Sequence, residues 1–477
     1  MKLNRKHSII LIILNILFFW ILYNPTIAVG QDELYQYYQV LNNRFSDWYP
    51  PFMSIVTNWF ISLKIPFKII TLCQCFLFFF GIMFLIERML NLIIQNKKNR
   101  NLIQFITILI MVSPFSPLPY KTMYWSIDTW FTISFIYLII NVLDLYEIIN
   151  NNNNDNNKYY YKVFLISFTS ATCMHLRHNS IILAPISFVA IYFLSKNKHN
   201  YYQNFLLGSL PVYIFLLISI GINKNYQIKK DYHFNSIMFL DIIGLMVDNP
   251  DLVNEFPYVK STLKPFYSQY YMHGNVAPLI DLEPRILNDS YKNLARKENL
   301  KLISEYKKML FNYPIQFIII KIKAWLNLIK INGYELSINY HEDFSLKKYV
   351  NLSRNQTFEG LRSLIHKLDH HIYSQMMMIK YTLRGNTIWF LLNIIFLIQT
   401  IFNQSFNNSK KLIFILLLSF PLFYYLSYLV ANPGGGYRYV YPSIIILQIF
   451  SIISFLKSVL RENNKANSFW FTHVDSK

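Results

Sequence analysis

The chain has 477 residues, of which 53% are hydrophobic and 15% charged, with a formal net charge of +20. A soluble domain carries nearer ~25% charged residues, and its helices show a polar stripe that is largely missing here. The totals therefore exclude an ordinary soluble protein, and with it the reading of the positive charge as a nucleic-acid surface. Apolar residues gather in runs of about 18 to 22, the length that crosses a bilayer. Among the short loops, those read as cytoplasmic carry most of the Lys and Arg, as expected where basic residues hold a loop in the cytoplasm. A general enrichment in Lys and Asn contributes to the same total.

The first apolar run, Ser8 to Ala28, follows a basic start. It reads as an uncleaved first span that doubles as an export signal, because no small-x-small cleavage site precedes Gly30. A polar first outer loop occupies 29–48. Tyr49 to Leu63 opens on two prolines and is expected to be a short helix lying in the membrane interface. Spans are then predicted at Pro66 to Ile86, Asn101 to Val112 and Ser126 to Leu145. The basic stretch Glu87 to Arg100 reads as a cytoplasmic loop. The proline-rich hairpin Ser113 to Tyr124 falls on the outer side. The asparagine run Asn150 to Lys158 is low-complexity and cytoplasmic. Tyr160 to Leu176 and Ser180 to Leu194 form the next two spans, joined by the polar turn Arg177-His178-Asn179. Phe205 to Ile222 is the seventh.

The segment 223–381 has no clean apolar run of spanning length and carries charges, prolines and turn signals. It is expected to be a large α-rich extracytoplasmic segment. Within it, Tyr313 to Lys330 is apolar but interrupted by Lys321, Lys323 and Lys330. Charge at a bilayer centre is costly, so this stretch reads as an amphipathic interfacial helix rather than a span. Three spans close the chain, Asn386 to Phe402, Leu412 to Val430 and Tyr439 to Leu456, with a basic cytoplasmic tail. The expectation is an all-α polytopic membrane protein with about ten transmembrane helices. It divides into an N-terminal module (1–222), an outer segment (223–381) and a C-terminal module (382–477), with both termini cytoplasmic. Cys73, Cys75 and Cys173 all lie in apolar runs and read as packing residues, with no disulfide framework or zinc spacing.

Polar residues cluster at the outer ends of these spans. The first loop carries Asp32 and Glu33 directly after the first helix, and Asp47 just before Pro50-Pro51. Arg177 sits in the turn between two spans, flanked by His175 and His178. Lys121 lies in the outer hairpin, and Arg438 follows Gly434 to Gly436. Transfer of a sugar to a hydroxyl needs a base for the departing proton, and a fixed carboxylate serves. The leaving phosphate needs a cation, and the guanidinium fork matches its oxygens. Alternatively the carboxylates hold a divalent cation, Mg or Mn, for that purpose. Each residue also has a plain reading. Asp32 and Glu33 are solvated loop acids, Asp47 is a turn or helix cap, and Arg177 and Lys121 are interfacial side chains reaching for water.

Asp32-Glu33, followed by "SDWYPPF" (Ser46 to Phe52), resembles the GT-C superfamily of polyprenyl-phosphate-sugar-dependent glycosyltransferases. That superfamily includes protein mannosyltransferases and the lipid A aminoarabinose transferases. Its first outer loop carries an acidic residue or pair, and a His-Pro-Pro-like element opens a juxtamembrane helix. Tyr49 stands where the His would be, so any role of that His has no counterpart here. "YWSIDTWF" (Tyr124 to Phe131), "LRHNSIILAP" (Leu176 to Pro185) and "GYRYVYPSI" (Gly436 to Ile444) resemble later motifs of such proteins. The resemblance implies a bacterial inner-membrane enzyme that moves a sugar from a polyprenyl-phosphate donor to a lipid-linked glycan, a surface polysaccharide or a protein. It implies Asp32 as base, with Glu33 and Asp47 in support, and Arg177, Arg438 and Lys121 on the donor phosphate.

Two other readings stand beside it. A polysaccharide polymerase would place its function in arginines of the large segment, such as Arg285, Arg296 and Arg354. A flippase or transporter would need polar residues within the helices. The sequence shows little charge there, which disfavours transport.

Overall fold

A computed structural model describes residues 5–23, 36–37, 39–47, 50–94, 96–113, 116, 118–122, 125–151, 155–196, 198–229, 234–262, 296–328, 359–375, 387–402, 408–430 and 437–461. Among these the chain is almost wholly helical. In the N-terminal half, α1 is Arg5–Tyr23, α2 Pro51–Ser62, α3 Phe67–Ile93, α4 Lys97–Val112, α5 Leu118–Thr122 and α6 Ile127–Asn150. Next come α7 Asn156–Leu176, a 3-10 turn His178–Ile182, α8 Leu183–Ser195 and α9 Tyr201–Asn225.

Seven helical stretches among the described residues are long and apolar enough to cross a membrane. They are Arg5–Leu22, Lys68–Ile93, Ile127–Asn150, His178–Ser195, Tyr201–Asn225, Asn408–Ser427 and Val440–Val459. Thr387–Phe402 is apolar but shorter. The protein is thus an all-α polytopic membrane protein. Lys97–Val112 and Asn156–Leu176 form helices where spans are expected, but their first turns are polar ("KKNRN" and "NNKYYYK") and lower their hydropathy.

Several helices run past their expected ends. α3 continues through Glu87 and Arg88, into what the charges mark as loop, because the side chains find partners on neighbouring helices. Arg5 pairs with Glu87 at 3.2 Å, and Arg88 pairs with Asp144 at 2.6 Å. α8 starts later than expected. Pro185 lacks an N–H and suits only the first turn of an α-helix, so the chain passes through the 3-10 turn first and α8 begins at Leu183.

α6 lies at the centre of the bundle, buried along most of its length and packed on α3, α7 and α8. α9 lies at the edge and turns Leu206, Leu217 and Ile220 outward. The C-terminal helices α15 (Thr387–Phe402), α16 (Asn408–Ser427) and α17 (Tyr437–Arg461) pack on one another, and α16 and α17 also reach α6. Lipid tails are as apolar as leucine, so close packing and interhelical hydrogen bonds must hold such helices together. Ser187 donates to Ser170 at 3.0 Å between α8 and α7. Asn393 of α15 donates to the Leu447 carbonyl and to Ser451 of α17, at 3.2 and 3.0 Å. Gly208 lets α9 close on α8. A Cβ built there would stand 2.9 Å from the Phe188 ring. Gly208→Leu is therefore expected to destabilise by about 1–3 kcal/mol, the usual cost of overpacking, read as a lower thermal midpoint in detergent.

Between α9 and α15 lies a second body. It is built from α10 (Phe234–Asp248), a 3-10 turn Pro250–Glu255, α11 (Pro257–Thr262), α12 (Arg296–Asn312) and α13 (Pro314–Leu328). Its core holds Phe239, Ile243, Met246, Phe256, Leu302, Met309 and Ile320. α14 (Glu359–Gln375) completes the described helices. Both lysines that interrupt α13 pair with acids of α10. Lys321 meets Asp241 at 2.5 Å, with side chains 7% and 4% accessible, and Lys323 meets Asp248 at 2.7 Å. Tyr306 also donates to Asp241 at 3.0 Å. Burial pushes the Asp241 carboxyl above its usual range, against the opposing pull of Lys321.

A short strand pair departs from the all-helical expectation. Phe45–Ser46 (β1) and Ile228–Lys229 (β2) pair in parallel, Phe45 with Ile228 and Ser46 with Lys229. Val40, Phe45 and Ile55 are buried beneath this bridge, with Ile222 and Tyr226 against them. The first outer loop is thereby tied to the start of the segment that follows α9.

Candidate functional site

The N-terminus of α6 and the C-terminus of α7 lie side by side, as two antiparallel neighbours must. Ser126 caps α6, its hydroxyl accepting from the Asp128 N–H at 3.2 Å. This puts the Asp128 carboxylate in the first turn, where the positive end of the helix dipole favours it. Arg177 is the C-cap of α7, with an extended backbone (φ −143°, ψ 129°), and its N–H bonds back to the Cys173 carbonyl at 3.1 Å. A cation there faces the negative end of its own helix. The Arg177 Nη2 and the Asp128 Oδ1 form an ion pair, with side chains only 16% and 13% accessible. Ser180 in the 3-10 turn donates to the Cys173 carbonyl at 2.6 Å and holds the turn closed.

Aromatic side chains of α6 and α16 lie against this end of the bundle. Tyr424 stacks on Phe131 at 4.9 Å, and its hydroxyl is 2.8 Å from that of Tyr428. Trp125 is buried just before α6. The 3-10 turn after Arg177 packs on α16. The arrangement offers a fixed guanidinium with five N–H donors, a carboxylate that orients it, and tyrosine rings with their hydroxyls nearby. Chemically it suits an anionic group carried beside a ring-shaped polar one.

Of the residues picked out from the sequence, Arg177 is placed fully. Asp47 follows β1 directly, at the same end of the bundle, where α2 begins and Phe52 lies 5.6 Å from the His175 ring. Lys121 lies in α5 and Arg438 is the second residue of α17, and the positions of both side chains fall outside the described set. Asp32 and Glu33 also lie outside the described residues. The two histidines flanking Arg177 do not share a face. His175 Nε2 is 3.1 Å from the Phe215 carbonyl and its ring stacks on Phe215, whereas His178 opens the 3-10 turn with its ring 6.4 Å from that of Phe234. Among the described residues no group of three His, Cys, Asp or Glu side chains is placed to hold a metal ion.

Asp128 is not among the residues that the sequence singles out, although it lies within the quoted motif "YWSIDTWF". An acid in the first turn of an apolar helix is the available signal, but its arginine partner is 49 positions away, and spacing alone does not join them. The opposite end of the bundle holds a second surprise. Asp144 meets Arg88 at 2.6 Å and Lys162 at 2.7 Å, and Lys162 also donates to Asn141 at 3.2 Å. Asp144 lies about 9 Å inside the end of α6 at 1.5 Å per residue. The helix interiors are therefore less free of charge than the sequence conveys. Here opposite charges pair across α3, α6 and α7, and the network clamps those helices together.

Comparison of this chain with family models, with curated proteins and with solved structures finds no match.

Proposed function

We propose that this protein is a membrane glycosyltransferase of the GT-C type, with about ten spans and both termini in the cytoplasm. It takes a sugar from a polyprenyl-phosphate donor at the outer face of a bacterial inner membrane. The acceptor is a lipid-linked glycan, a surface polysaccharide or a protein. The supporting observation is the Asp128–Arg177 pair, which brings two of the resembling motifs together at one end of the bundle, the end that also carries Asp47.

In the reaction the acceptor hydroxyl oxygen forms a bond to the anomeric carbon. The bond from that carbon to the phosphate oxygen breaks, and the phosphate leaves with the electron pair. Asp32 takes the hydroxyl proton, with Glu33 and Asp47 shaping the acceptor side. Arg177, with Arg438 and Lys121, meets the charge that grows on the leaving phosphate. Asp128 acts through Arg177 as a positioning residue.

The test is complementation of a strain lacking the gene by Asp32→Asn, with surface glycan analysed and protein level checked by immunoblot. Glycan synthesis is expected to fall by roughly 100-fold or more, the usual contribution of a general base, while the protein accumulates normally. Unchanged glycan would remove Asp32 as the base. The polymerase reading, with Arg285, Arg296 and Arg354, would then come to the front.

A further inference from the structure

α13 carries an apolar stripe that the protein leaves open. Ile315, Ile318, Ile319, Ile322 and Leu326 are all exposed, Ile315 at 70%. Their spacing places them within about 100° of one another around the helix. The opposite face is closed. Ile320 and Ala324 are buried, and Lys321 is drawn inward onto Asp241. Lys323, on the flank of the stripe, is held by Asp248. Both charges that would oppose contact with an apolar phase are therefore neutralised by α10.

The position of the helix says what covers the stripe. Its last turn belongs to the membrane-spanning bundle. Trp325 lies 5.6 Å from Phe390, near the start of α15, and 6.1 Å from Tyr425, near the end of α16. Leu328 is buried in the main core. α15 begins and α16 ends at the level where α13 joins them, so the helix meets the bundle at the boundary where the spans stop. A helix with one strongly apolar face at that level lies in the boundary between head groups and acyl chains.

We infer that α13 is a membrane-surface helix. Its Ile315–Leu326 stripe is seated on lipid, and the Lys321–Asp241 and Lys323–Asp248 pairs lock the second body down onto the bilayer. This goes beyond the proposed activity and does not depend on it.

The test uses the full chain in nanodiscs of phosphatidylethanolamine and phosphatidylglycerol, with Cys73→Ser as background. Cys75 and Cys173 are buried and stay in place. A spin label is attached at Ile318→Cys, and collision with oxygen and with a water-soluble nickel chelate is measured. Leu217→Cys on α9 gives the acyl-chain reference and Ser304→Cys, at an exposed position of α12, the aqueous one. At Ile318→Cys, oxygen collision is expected to exceed the aqueous reference and nickel collision to fall below it. The depth should be shallower than at Leu217→Cys, about 5–10 Å into the boundary. A label at Ile322→Cys repeats the reading should the first variant fold poorly. Three results would overturn the inference. They are collision like that of Ser304→Cys (water), shielding from both reagents (a second copy or another part of this chain), or the depth of Leu217→Cys (a true span).

Discussion

Arg177→Met is expected to abolish glycan transfer, by roughly 100- to 1000-fold, the size seen when one donor to developing charge is removed. The same substitution removes half of a sequestered ion pair, so a loss of activity alone would not separate chemistry from folding. Asp128→Ala leaves the guanidinium without this carboxylate and with little water around it. Removing one partner of such a pair typically costs about 3–5 kcal/mol, so this variant is also expected to lose activity, with a clearly lowered thermal midpoint. The double variant Asp128→Leu/Arg177→Met replaces the pair with apolar side chains, which is often neutral for stability. It should regain most of the thermal midpoint and remain inactive. Asp128→Glu, which keeps the charge, should retain measurable transfer. If the double variant recovers both stability and transfer, Arg177 has only a structural role and the phosphate assignment fails.

A second large effect is expected at Lys321. Lys321→Met leaves Asp241 buried beside Tyr306 without its cation. At neutral pH this is expected to destabilise the body formed by α10 to α13 by about 3–5 kcal/mol. The loss should shrink with acid. Burial already raises the Asp241 carboxyl against the pull of Lys321, and removing the lysine raises it further. The folded protein then takes up a proton at a pH where the unfolded chain, with its carboxylates near pKa ~3.9, does not. A raised folded-state pKa gives stability that is complete below the unfolded value and is lost as pH rises through the folded one. The midpoint gap between Lys321→Met and the unaltered protein should therefore narrow from pH 7 toward about pH 4. A gap that stays constant across that range would show that Asp241 does not titrate there.

The sequence shows the helices well because a bilayer imposes one simple rule, a long apolar run for each crossing. Where that rule is the only one acting, as in Tyr201–Asn225, expectation and structure agree closely. The ends are less legible because they depend on partners. Glu87 and Arg88 look like loop residues until Arg5, Asp144 and Glu147 are seen beside them. Lys321 and Lys323 argue against a simple span, yet nothing in their spacing points to Asp241 and Asp248 on a helix more than 70 positions earlier. The candidate site follows the same pattern. Arg177 stands out because it interrupts two apolar runs. Asp128 does not stand out, because a helix-start acid is ordinary until its partner is known. Tyr424 and Tyr428 are hidden among 36 tyrosines, and only packing selects them.

The β1–β2 bridge sets an order of events during synthesis. Phe45 emerges early, but its partner Ile228 follows about 180 residues later, which at the usual elongation rate of about 5–20 residues per second is some 10–40 seconds. Until α9 has been delivered into the membrane, the loop bearing the proposed acids has no strand to close against. A chain released before that point would carry Asp32, Glu33 and Asp47 on an untethered loop. Under the proposed function, transfer from the lipid-linked donor would begin only after most of the N-terminal module is in place.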